Sequence, residues 1–188
     1  MNPIVENNFM NKKDCDVIIN FIENNLEMFG TGKYKLAHRL LFGKDNCHKE
    51  SIKKISGIDP ILPTVKEYFV KIIDNIKDKY NLDGQHYIAS FWLTRQIEGA
   101  FLDLHSDTDV DQNTHLEYSC GIYLNDVMVD GILEFPEINY NYQPRMGDLV
   151  SWKSSGREYD HQVSKITDTR YAMLVWLTSD PSYSLIDL

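Results

Sequence analysis

The segment HQVSKITDTRYAMLVWLT, residues 161–178, joins two runs of strand character through a polar turn. The second run begins at Arg170 and contains the β-branched and aromatic residues that favour extended backbone. Because side chains alternate between the two faces of a strand, Arg170 shares its face with Ala172, Leu174 and Trp176. A buried charge is costly without a partner, so this guanidinium predicts either an internal ion pair or a pocket that binds a carboxylate.

The remainder of the second half has the same character. Short strand-like runs such as HYIASFWLT, LEYSCGIYL, GILEF and DLVSW follow one another, with turn signals between them. In the first half, apolar residues at helical spacing instead predict two helices, one before Gly30 and one after Pro63. Helices followed by many short strands predict an α+β protein whose β part is a barrel or a sandwich.

The predicted domain organisation is simple, because the 188 residues suit one domain with a real hydrophobic core. We expect a helical support region at residues 1–85 and a β core at residues 86–180. Residues 31–60, between the two helices, are expected to form a mobile flap or a small strand pair.

Charge and composition limit the kinds of partner that we expect this protein to bind. Residues 1–85 contain 13 Lys/Arg and 12 Asp/Glu, whereas residues 86–188 contain 6 and 16. An acidic half is a poor surface for phosphate backbones, so we expect no nucleic-acid partner, and a neutral or basic polypeptide would fit it better. The apolar runs are too short to span a bilayer, the start lacks the pattern of a signal peptide, and the odd cysteine count favours reduced thiols. These features predict a cytoplasmic protein without a membrane partner.

The stretch FLDLHSDTD, residues 101–109, gathers three carboxylates around His105. Carboxylates this close repel one another unless water or a cation separates them, which indicates a metal site. Asp103, Asp107 and Asp109 all share the parity of His105 in an extended chain, so spacing alone leaves the ligand open. An EF-hand calcium loop is excluded, because Gln112 replaces the required glycine.

His161 offers a third ligand much later in the chain. Two histidines and one carboxylate form the facial triad of non-haem Fe(II) oxygenases, which leaves coordination positions open for substrates. His115 is a rival ligand, but we expect it to lie in a solvated loop, within a segment at 108–116 that could close over a substrate.

Five blocks of the sequence together resemble a known family. They are FMNKKDCDVIINFIE, RQIEGAFLDLHSD, YLNDVMVDGILEFPE, QPRMGDLVSW and HQVSKITDTRYAMLVWL, in that order between about Phe9 and Thr178. The chain resembles the prolyl 4-hydroxylase-like branch of the Fe(II)- and 2-oxoglutarate-dependent dioxygenases, and TRYAMLVW is especially similar to the oxygen-sensing prolyl hydroxylases.

The resemblance implies a double-stranded β-helix, or jelly roll, with the N-terminal helices packed on one sheet. It implies iron ligation by His105, Asp107 and His161, and so favours Asp107 over its neighbours. Arg170 would bind the distal carboxylate of 2-oxoglutarate, and Tyr123 would share that carboxylate. Further pocket candidates follow from the same motifs: Val163, Trp176 and Arg95.

The implied activity is hydroxylation of an unactivated C–H bond, with prolyl 4-hydroxylation of a peptide or protein as the leading reading. Fe(II), 2-oxoglutarate and O2 would be required, ascorbate could serve as a reductant, and succinate and CO2 would be released. An oxygenase acting on a small molecule or another side chain, and a non-catalytic metal-binding barrel, are the alternatives. Three departures from the family pattern leave the ligands intact: Gln96 replaces a tyrosine that would contact the co-substrate, Asp130 replaces a glycine, and Ala172 replaces a serine.

Overall fold

The computed structural model describes residues 2–31, 36–43, 58–108, 113–127 and 129–185. Two helices and eleven strands are present in this part of the chain. Their bounds, in chain order, are β1 Ile4–Glu6, α1 Lys12–Asn24, β2 Gly30–Thr31, β3 Ala37–Gly43, α2 Leu62–Tyr80, β4 Tyr87–Gln96, β5 Leu102–His105, β6 Tyr118–Tyr123, β7 Leu133–Phe135, β8 Tyr140–Tyr142, β9 Leu149–Lys153, β10 His161–Val163 and β11 Arg170–Thr178.

The strands form two antiparallel sheets. The larger sheet has the order β1-β9-β6-β11-β4-β3-β2, and the smaller has the order β5-β10-β7-β8. Most neighbours in the sheets are far apart in the sequence, as expected for a jelly roll in which the chain passes back and forth between two layers. The predicted α+β class and double-stranded β-helix are therefore confirmed.

Both helices cover one face of the larger sheet. Ile18 and Ile22 of α1 and Phe69 of α2 are fully buried in a core that also contains Phe91 and Leu93 of β4. The Asn11 side chain caps α1 by accepting a hydrogen bond from the Asp14 backbone N–H, which satisfies one of the free donors of the first turn. The packing of the N-terminal helices on one sheet is as predicted.

The alternation predicted for the final strand is also present. Met173 and Val175 of β11 face the helices, whereas Ala172 packs in a second core between the two sheets. The space between the sheets is thus lined by the alternate side chains of β11, which places the Arg170 face inside the barrel.

Part of the segment predicted as a flap or strand pair is described. Gly30 and Thr31 of β2 pair with Arg39 and His38 of β3, and β3 continues the larger sheet beyond β4. A strand pair therefore occupies this edge, and residues 32–35 and 44–57 lie outside the described residues. None of the described helices is long and apolar enough to cross a membrane.

Candidate active site

Three side chains from distant parts of the sequence meet at one end of the smaller sheet. Ligand atoms of His105, Asp107 and His161 all lie within 4.8 Å of one another. The antiparallel pairing of β5 with β10 sets His105 directly opposite His161, and the turn after β5 brings Asp107 to both rings. Each Nε2 atom lies 4.0 Å from one oxygen of the Asp107 carboxylate.

The tautomers of the two histidines follow from their hydrogen bonds. His105 Nδ1 lies 2.8 Å from the backbone oxygen of Asp103, and His161 Nδ1 lies 3.0 Å from that of Tyr159. Because a carbonyl oxygen only accepts, each Nδ1 must carry the proton, and in a neutral ring the lone pair is then on Nε2. Both Nε2 atoms therefore have a lone pair available to bind a cation beside the Asp107 carboxylate.

Burial favours the neutral form of His161, the more deeply buried of the two histidines. Removal from solvent lowers the pKa of His161 below its usual value, although the nearby Asp107 carboxylate acts in the opposite direction. Trp152 completes the arrangement, because its Nε1–H donates to Asp107 Oδ2 at 3.3 Å and its ring packs edge-on against His161. A partner of this kind holds a ligand in position before the metal arrives.

The donor set fits a divalent first-row metal. Two neutral imidazole nitrogens and one carboxylate oxygen are the ligands of the facial triad that Fe(II) oxygenases use. Asp103 turns its backbone oxygen toward His105 and leaves its carboxylate exposed, so it is not part of the group. Asp109 lies outside the described residues.

A cavity of about 290 Å³ extends from this triad into the space between the sheets. Val163 and Trp176, both predicted as pocket residues, lie in its wall, and so does Tyr123. His115, expected in a solvated loop, instead stacks on Tyr183 at 3.7 Å between ring centroids and lines the same cavity.

Arg170 lies in the cavity wall as a buried guanidinium, with only 5% of its surface exposed. Its Nε donates to Gln96 Oε1 at 2.8 Å, its Nη1 donates to the Gly131 backbone oxygen at 3.0 Å, and its Cζ lies 5.6 Å from the Tyr123 ring centroid. Burial lowers the pKa of Arg170, and no carboxylate of a described residue forms an ion pair with it. The predicted alternative of an internal ion pair is therefore not found among the described residues.

Arg95, which was predicted to be a pocket residue, lies instead on the opposite face of the larger sheet. Its odd position in β4 points it toward α1, where its Nε donates to the Glu23 carboxylate at 2.6 Å. Tyr171 of β11 also donates to that carboxylate. Arg95 thus ties the helix layer to the sheet and does not line the cavity, because side chains one residue apart on a strand face opposite ways.

Several residues of the cavity wall were not predicted from the sequence. Trp152 was recognisable only as a strand residue, although it shares its strand face with Val150 in the core between the sheets. Arg39 of β3 lies over the Trp92 ring at 5.5 Å, and both line the cavity. Trp92 shares a face with Gln96, so the period of β4 could have indicated it, whereas the reach of β3 to this wall depends on sheet order.

A double-stranded β-helix that holds two histidines and a carboxylate at one end, with a cationic pocket inside, defines the architecture of a non-haem iron oxygenase. In agreement, residues 91–178 match the model of the 2OG-Fe(II) oxygenase superfamily. The predicted family is confirmed: this part of the chain is a 2OG-Fe(II) oxygenase domain, and Fe(II), 2-oxoglutarate and O2 are the cofactor and co-substrates of its family.

Solved prolyl hydroxylases have a similar fold. The viral collagen prolyl hydroxylase from Paramecium bursaria Chlorella virus-1 gives a TM-score of 0.65 at 16% identity, over 96% of this chain and 97% of that chain. The Pseudomonas putida prolyl-4-hydroxylase gives 0.61 at 16%, over 95% and 92%. A Trichoplax adhaerens prolyl hydroxylase, in complex with a hypoxia inducible factor peptide fragment, gives 0.62 at 16%, over 99% and 87%. No curated protein matches the chain significantly by sequence.

Proposed function

We propose that the protein is an Fe(II)- and 2-oxoglutarate-dependent dioxygenase that hydroxylates prolyl residues of a peptide or protein substrate. The observation that carries this proposal is the joint presence, in one cavity, of the triad and of a buried arginine without a carboxylate partner among the described residues. The prolyl hydroxylases that share the fold support the choice of substrate.

In this proposal His105, Asp107 and His161 hold Fe(II) through two Nε2 atoms and one carboxylate oxygen. The chemistry that bound Fe(II) supplies is the decarboxylation of 2-oxoglutarate to succinate and CO2, coupled to insertion of one oxygen atom of O2 into a C–H bond. Trp152 orients the carboxylate ligand by its hydrogen bond to Asp107. No protein side chain beyond the metal centre acts as a catalytic acid or base.

Arg170 and Tyr123 bind the distal carboxylate of 2-oxoglutarate in this proposal. A guanidinium in a water-poor cavity attracts a carboxylate strongly, because the dielectric screening between them is weak. Val163 and Trp176 give the cavity apolar walls that exclude water and orient the two substrates. The burial of Arg170 therefore contributes to affinity for a dicarboxylate.

We also assign the protein to a reducing, cytosol-like compartment. Cys15 and Cys120 are both buried free thiols, and burial raises the pKa of Cys15 to about 12. Thiols protected in this way need no disulfide partner.

The test measures succinate formed from 2-oxoglutarate by the Fe(II)-loaded protein, with Pro-containing peptides and with matched peptides in which alanine replaces proline. Proline-dependent turnover, with one oxygen added to the peptide, is the expected result. Turnover that does not depend on proline would redirect the assignment to another side chain or a small molecule. Metal binding without any turnover would favour a non-catalytic barrel.

A further inference from the structure

Gln96 and Arg170 face each other across β4 and β11 inside the cavity. The two residues are paired in the antiparallel register, and each has only 5% of its surface exposed. The Gln96 amide could in principle be turned either way, but guanidinium nitrogens only donate hydrogen bonds. The amide atom that lies 2.8 Å from Arg170 Nε must therefore be the oxygen, and the chemistry of the arginine fixes the orientation of the glutamine.

This orientation leaves the NH2 group of Gln96 available. No acceptor among the described residues receives a hydrogen bond from it, and Gln96 lines the cavity that holds the triad. The NH2 group is therefore open to an acceptor that a ligand brings into this cavity.

The second support of Arg170 is also electrically neutral. The Gly131 backbone oxygen accepts from Nη1, and Gly131 adopts a φ of 66°, a conformation that other residues reach only with strain. An amide oxygen and a backbone oxygen hold the guanidinium in place without cancelling its charge. The Nη2 group has no acceptor among the described residues. The pocket thus presents a fixed cation and an unused amide donor side by side.

We propose that Gln96 is a co-substrate-binding residue, whose oxygen positions Arg170 and whose NH2 group donates to the distal carboxylate of 2-oxoglutarate. This inference rests on the proposed function. It revises the reading of Gln96 as a lost contact, because the glutamine supplies a donor of its own. It also explains an amide rather than an acid at this position: a glutamate would pair with Arg170 and repel the incoming carboxylate.

The test compares two oxo acids in isothermal titration of the Mn(II)-loaded protein. 2-Oxoglutarate carries the distal carboxylate, and 2-oxopentanoate has the same chain length without it. Gln96→Met should weaken 2-oxoglutarate binding roughly 10- to 100-fold, the usual effect of losing a hydrogen bond to a charged group, and leave 2-oxopentanoate binding unchanged. Gln96→Glu should weaken 2-oxoglutarate binding by roughly 100-fold or more, because it adds a like charge at close range.

Gln85→Glu is the matched control, since it makes the same chemical change at an exposed site and should leave both affinities unchanged. If Gln96→Met does not fold, Gln96→Asn, which shortens the side chain by one methylene, replaces it in the comparison. Unchanged 2-oxoglutarate affinity in either folded variant overturns the inference, and so does an equal loss for both oxo acids. If the wild-type protein binds Mn(II) but neither oxo acid, the proposed function itself is refuted. If it binds Mn(II) and both oxo acids, the variants test only the role of Gln96.

Discussion

Replacing Arg170 by methionine should separate co-substrate binding from metal binding. Methionine fills much of the space of the arginine stem but carries no charge and no donor. Arg170 contacts Gln96, Gly131 and Tyr123 and is not part of the ligand group, so the triad should still bind Mn(II). Only the affinity for the distal carboxylate should fall.

The expected size of this effect follows from the burial of the guanidinium. Hydrogen bonds to a charged group contribute about 1.5–3 kcal/mol, so loss of the arginine should raise the Kd for 2-oxoglutarate about 100-fold. At a concentration of 100 times the wild-type Kd, the ligand stabilises wild-type protein by about 2.7 kcal/mol and the variant by only about 0.4 kcal/mol. For a chain of this size these values correspond to Tm increases of about 5–11 °C and about 1 °C.

The assay is thermal unfolding of the Mn(II)-loaded protein with and without 2-oxoglutarate. Arg95→Met is the matched control, because Arg95 occupies the same sheet but faces Glu23 on the other side. That variant should have a lower Tm and an undiminished response to 2-oxoglutarate. Equal Tm increases in wild type and Arg170→Met would refute the role given to Arg170, and a lost response in Arg95→Met would refute its placement outside the pocket.

Three further outcomes are expected. Trp152→Phe removes the donor to Asp107 and should weaken Mn(II) binding roughly 10-fold in a direct titration; unchanged affinity would show that the indole does not support the ligand. Mn(II) should raise the Tm of the wild-type protein and a chelator should reverse this, whereas Asp107→Ala should show neither response. Burial acts to raise the pKa of Glu23, but hydrogen bonds from Tyr171 and Arg95 outweigh burial and lower that pKa. The interactions of the Glu23 carboxylate with Tyr171 and Arg95 therefore stabilise the fold above about pH 4.5, and this stabilisation is lost as the pH falls. Glu23→Gln should therefore reduce the free energy of unfolding by about 0.2–1 kcal/mol at pH 7, with the difference from wild type shrinking toward pH 3 in urea titrations.

Features that depend on residues close together in the sequence could be predicted from the sequence. The two helices and the strand alternation that puts Arg170, Leu174 and Trp176 on one face both follow from local periodicity. These predictions are confirmed because burial of one face of a helix or strand leaves a regular pattern of apolar residues.

Relations across strands could not be predicted in this way. The approach of His161 to His105, the hydrogen bond from Arg170 to Gln96 and the contact of Trp152 with Asp107 depend on which strands are neighbours and in what register. Arg95 shows that a motif match does not determine which side of the sheet a residue lies on. It adjoins Gln96 in the sequence but lies on the opposite side of the sheet.

The sequence by itself determined the elements, the ligand types and the family resemblance. Tertiary structure alone decided that the acceptors around Arg170 are neutral, and it showed the distances at which the carboxylate of Asp107, which the resemblance favours over that of Asp103, lies beside both histidines. The physical reason is that charge balance and ligand geometry depend on distances of a few ångströms between residues separated by dozens of positions, and strand pairing sets those distances.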